Sequence, residues 1–149
     1  MELLPLLAER GLSTGQYGVL GWSMGGYGAL LAARESAGRS REGDRRVVAA
    51  AAMSRALWGT AEEAAPGAFD GGDDFAAYRV HGGELKTVAL RIDCGRDDPF
   101  AGAVRALRRE VVAEGGLQAG AHTAGHWRRM LPDQLRFLGS RLPLPGADR

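Results

Sequence analysis

Ser23 stands in Gly21-Trp22-Ser23-Met24-Gly25, a G-x-S-x-G pentapeptide, and two groups able to complete its chemistry follow downstream. Acids crowd the segment Asp93-Cys94-Gly95-Arg96-Asp97-Asp98-Pro99, and His122 lies beyond it. A serine hydroxyl is a weak nucleophile until a base takes its proton and an acid orients that base. Serine, aspartate and histidine supply those three roles for attack on an acyl carbonyl. In a chain with 23 glycines the pentapeptide also arises by chance, so its context decides its meaning.

That context is a strand-to-helix junction. Gln16 to Gly21 is short, aromatic and branched and is bounded by glycines, which predicts a buried strand, while Tyr27 to Ala33 has the small, apolar character of a helix. A serine at so sharp a turn is held in a strained backbone conformation that lifts its hydroxyl above the sheet. Side chains two positions away on either side would collide, which is the expected reason for Gly21 and Gly25.

The remaining elements follow the same logic. Leu3, Leu4, Leu6 and Leu7 recur at helical spacing with Gly11 as a stop, and Glu35 to Arg46 is polar enough to predict a solvated loop. Val47 to Met53 and Thr87 to Cys94 predict two more buried strands, Leu117 to Ala121 a weak fourth. Helices are expected at Asp73–Val80, Phe100–Glu114 and Trp127–Leu138, and Pro143 to Arg149 is expected to be a disordered tail. Strands alternating with helices predict an α/β fold, a three-layer αβα sandwich around a parallel sheet of about four strands. Its acids then lie beyond a strand's carboxyl end, where active sites of such sheets form.

Composition bounds the rest. The 149 residues, 45% hydrophobic and 25% charged, suit one globular domain that buries roughly 68–70% of its unfolded surface without disulfides. Cys94 is the lone cysteine and cannot form an internal bridge. No apolar run approaches a membrane span, and Glu2 and Glu9 replace a basic leader, so a cytoplasmic product without membrane contact is expected. Lys86 is the only lysine, and a net charge of +1 gives no case for a nucleic-acid partner.

The order Ser, Asp, His is that of α/β-hydrolases. Gly21 to Leu30, then Asp93 to Phe100, then His122 with Trp127 five residues on, resemble the esterase family that includes esterase D and the antigen 85 mycolyltransferases. The resemblance implies Ser23 as nucleophile, Asp98 as orienting acid with Asp97 its competitor, His122 as general base, and the Met24 amide as an oxyanion donor. It implies a serine esterase acting on a small-molecule ester or thioester through an acyl-enzyme, with no cofactor and no metal. Acyl transfer of the mycolyltransferase kind is an alternative.

The resemblance also carries a departure. The elbow strand of that fold is the fifth of eight, whereas only 15 residues precede Gln16 here. Residues 1–142 are therefore expected to be the C-terminal portion of such a domain, lacking four strands and the loop that gives a second oxyanion donor. A non-catalytic truncated remnant is the competing reading. The strand at Gln16 to Gly21 would then have an open apolar edge, with self-association as the consequence.

Other features have blander readings. His81-Gly82-Gly83 lies after the nucleophile and is read as a loop, not an oxyanion motif. His122 and His126 have the spacing of a zinc pair, but Thr123 replaces the glutamate and Gly125 weakens the helix. Gly26-Tyr27-Gly28 lacks the third small residue of a dinucleotide fingerprint, because Leu31 stands there. Trp22 and Trp58 are candidates for the substrate pocket, and Cys94 for inert packing.

Overall fold

The computed structural model describes residues 3–37, 45–55, 58, 60–80 and 85–143. In chain order these form α1 (Leu3–Glu9), β1 (Gln16–Trp22), α2 (Met24–Ala37), β2 (Arg46–Met53), α3 (Gly72–Tyr78), β3 (Ala89–Gly95), α4 (Ala101–Glu110), β4 (Leu117–Gln118) and α5 (Ala124–Arg141). The four strands make one parallel sheet in the order β1-β2-β3-β4, the α/β arrangement expected.

β2 explains how the layers meet. Ala49, Ala50, Ala51 and Ala52 are completely buried, as in a strand covered on both faces. Ala50 and Ala52 pack with Leu30 and Ala33 of α2 and with Val104 and Leu107 of α4. Ala49 and Ala51 turn the other way, onto Phe137 and Leu138 of α5. Side chains this small let helices approach the sheet closely from both sides. The register slips by one residue between Tyr17 and Gly18 of β1, whose partners are Val47 and Ala49.

Several boundaries differ from expectation. α2 starts at Met24 and runs through Glu35 to Ala37, so the first part of the expected polar loop is helix, and 38–44 lie outside the described residues. α4 stops at Glu110 because Val111 turns extended, and the chain then runs beside β3: Glu114 N–H donates to the Leu90 carbonyl, and Ile92 N–H to that of Glu114. The Arg108 guanidinium holds this run by donating to the carbonyls of Ile92, Ala113, Glu114 and Gly115 at 2.8–3.1 Å. β4 is reduced to two residues, not the five expected. α5 begins earlier than expected because Thr123 caps it, its hydroxyl accepting from His126 N–H. α1 forms as its leucine spacing predicts but buries none of its residues. The expected loop at His81 and the tail from Leu144 onward lie outside the described residues.

Candidate active site

Ser23 occupies the single position between β1 and α2. Its φ is 52°, a left-handed conformation uncommon for a residue with a side chain and worth about 1–3 kcal/mol of strain. Two hydrogen bonds hold it there: Ser23 N–H donates to the Met53 carbonyl at 2.9 Å, and its own carbonyl accepts from Tyr27 N–H at 3.1 Å. Gly21 is needed because a Cβ there would run into the Gly25 carbonyl. The expected reason for Gly25 does not hold, since a Cβ at that position would meet nothing within 4 Å. The crowding is one-sided, falling on Gly21.

The acids separate by burial. Asp93 lies inside β3, not in the loop, and its fully buried carboxylate accepts from Arg91 Nε at 2.8 Å, Gln118 Nε2 at 2.8 Å and Gln134 Nε2 at 3.1 Å. Asp97 is exposed. Asp98, 5% exposed, lies in the loop between β3 and α4. One of its oxygens accepts from Phe100 N–H at 2.9 Å, and the other sits 2.9 Å from Nδ1 of His122.

His122 lies between β4 and α5, with Nε2 3.0 Å from Ser23 Oγ. A carboxylate can only accept, so Nδ1 carries the proton toward Asp98 and Nε2 is left as acceptor for the serine hydroxyl. The ring is held edge-on by Phe100 at 5.5 Å and Trp127 at 5.1 Å between centroids. The loops bearing Asp98 and His122 meet at a glycine pair. A Cβ on Gly95 would strike the Gly120 carbonyl, which accepts from Asp97 N–H at 3.0 Å, and Gly120 itself has φ of 140°. Three residues far apart in sequence thus converge beyond the carboxyl ends of β1, β3 and β4, where sites form in open parallel sheets.

The family described as "Putative esterase" matches residues 1–138. The chain belongs to this esterase family. Among solved structures, a ferulic acid esterase superposes with a TM-score of 0.69 at 21% identity, covering 95% of this chain and 59% of its own. The structure titled "Structure of esterase Est22" gives 0.58 at 12% identity, covering 94% and 50%. These likenesses concern the fold, and the chain spans 59% of the length of the first protein and half that of the second. No curated protein matches the sequence.

Around this site, the esterase-family chain places Trp22 and Trp58 in different hollows. Trp22 is 42% exposed and stacks on Trp127, the two lining an apolar hollow of about 170 Å³ with Leu131. Trp58 instead joins Tyr27, Phe69 and Phe100 in a cluster of tilted and edge-on rings. Cys94 is buried within β3, where desolvation, and then the charge of Asp98, push its thiol up to about 12. It stays protonated at neutral pH. His126 does not join His122: its Nδ1 lies 3.0 Å from Arg129 Nη2, a group that can only donate. Desolvation, aided by Arg129, lowers its proton affinity, so it is a neutral core histidine.

Sequence reasoning did not single out Gly120 and assigned Phe100 no packing role. A glycine two residues before the candidate base was the available signal for the first. Phe100 had only its place after the acidic loop.

Proposed function

We propose that the protein is a serine carboxylesterase in which Ser23, His122 and Asp98 act as one unit. The unbroken chain of contacts from Ser23 Oγ to His122 Nε2 at 3.0 Å, and from His122 Nδ1 to Asp98 at 2.9 Å, carries this reading. Ser23 attacks the carbonyl of an ester or thioester as its proton passes to His122. The developing oxyanion takes a hydrogen bond from Met24 N–H, at the first position of α2, where helical amides have no intrahelical acceptor. The positive end of the 14-residue helix adds to that stabilisation. His122 then protonates the leaving alkoxide or thiolate, and a water molecule, deprotonated by the same imidazole, releases the acid.

Asp98 fixes the imidazole tautomer and offsets its charge. The chemistry needs no cofactor. Among the described residues no helix is long and apolar enough to cross a membrane. A fluorophosphonate probe tests the reading. Wild-type protein should label and Ser23→Ala should not; a folded wild-type chain that stays unlabelled would establish the non-catalytic reading instead.

A further inference from the structure

Arg55 follows β2 by two residues, beyond the same edge of the sheet as the candidate site, and is 1% exposed. Its Nε and Nη1 are both buried and have no hydrogen-bond partner among the described residues. Burying a guanidinium so deeply is costly unless its N–H groups are met. Desolvation does pull it down to about 9, which still leaves it a cation at neutral pH, with Tyr27 and Glu110 acting in the opposite direction.

A cavity of about 210 Å³ opens against this group, walled by Tyr27, Trp58, Phe75 and Leu107, with Arg79 and Glu110 also on its lining. Tyr27 gives its hydroxyl proton to the Tyr78 carbonyl at 2.6 Å, so it contributes a ring face and not a donor. The cavity therefore combines mostly apolar walls with two cationic N–H groups lacking an acceptor. Such a combination suits an anion carried on a carbon skeleton.

We propose that this cavity is a carboxylate-binding site, with Nε and Nη1 of Arg55 donating to the bound acid. The carboxylate has two possible sources. Trp58 lies 6.1 Å from Phe100, whose ring is 5.5 Å from His122, so one aromatic wall runs from this cavity to the candidate base, and a remote carboxylate of the substrate is the first source if Ser23 is the nucleophile proposed above. A separate small organic acid has the same chemistry.

Titration calorimetry with benzoate and with glutarate decides whether the site exists, independently of any hydrolysis. Wild-type and Ser23→Ala proteins should both bind at least one of these acids at millimolar concentration. Arg55→Met, which replaces a buried charge with an apolar chain of similar length, should lose about tenfold or more in affinity, the scale of a hydrogen bond to a charged group. Ala103→Phe keeps Arg55 but fills the cavity from α4, and should also lose binding, so the outcome does not rest on one variant's folding. The ratio of kcat/KM for the nitrophenyl monoester of glutarate to that for nitrophenyl butyrate separates the sources. A fall in that ratio in Arg55→Met identifies a substrate carboxylate, and a constant ratio with Arg55-dependent binding identifies a separate acid. Absence of binding to wild type, or equal affinity in both cavity variants, overturns the proposal. An unreactive Ser23 with intact acid binding would refute the esterase mechanism alone.

Discussion

The difference between Asp97 and Asp98 is a matter of which carboxylate can reach one ring nitrogen without water competing for it. Asp98 is buried with each oxygen on a separate donor, whereas Asp97 is exposed and contributes its backbone N–H to the Gly120 carbonyl. Asp98→Asn should therefore lower kcat on a short-chain nitrophenyl ester by about 10⁴, because an amide imposes the wrong imidazole tautomer, while Asp97→Asn should stay close to wild type. Equal losses would refute the assignment. His126 leads to a different expectation, for stability. Its folded proton affinity is depressed, so as pH falls through about 6.5 the unfolded chain takes up the proton first and the folded state loses ground. That loss is complete below the lower folded value. Urea midpoints of His126→Gln should be flatter than wild type across this window. The serine was readable because its motif is local in sequence. The choice of Asp98 over Asp97 came from the family resemblance alone, since residue types carry nothing of a burial created by chain segments more than 20 residues away.

At the scale of elements, loops do the positioning and strands hold the loops. The contact between Gly95 and Gly120 brings the end of β3 against the approach to His122, so Gly95→Ala should cost about 1–3 kcal/mol by overpacking. It should also lower kcat more than a surface mutation of equal stability effect, as read from denaturation curves and ester hydrolysis on the same sample. Asp93 anchors the middle of that strand to β4 and α5 through Gln118 and Gln134. Asp93→Ala leaves three donors without their acceptor and should destabilise by about 3–5 kcal/mol in urea, an effect a loop aspartate would not have. Short apolar runs bounded by glycine or charge located β1, β2 and β3 to within two residues at either end, most clearly β2, which is buried on both faces. That signal failed where hydrogen bonds, not hydrophobicity, set the path. The chain after α4 is tied down by the four carbonyls on Arg108, which leaves no alternation in side-chain type to read. It failed too at the end of α2, where Glu35 and Ser36 on a helix look like loop residues.

For the molecule as a whole, β1 pairs with β2 alone and is an edge of the sheet among the described residues. Tyr17, Val19 and Leu20 of that strand are half-buried, and the edge is neither charged nor interrupted by proline. Edges of this kind pair with other chains. Sedimentation of the purified protein should show concentration-dependent association, and a single monomer species across all concentrations would count against it. Composition suggested a globular chain, and the alternation of strands with helices an α/β fold, but neither carried anything of Arg55, because a buried guanidinium and a solvated one are the same letter. The distance along the chain between Ser23 and His122, 99 residues, has a consequence in time. At ribosomal rates of about 5–20 residues per second, the histidine leaves the peptidyl-transferase centre roughly 5–20 s after the serine. During that interval the nascent polypeptide holds the proposed nucleophile without the proposed base, so under the esterase proposal hydrolytic competence, once it appears, reports that translation has passed the β4–α5 loop.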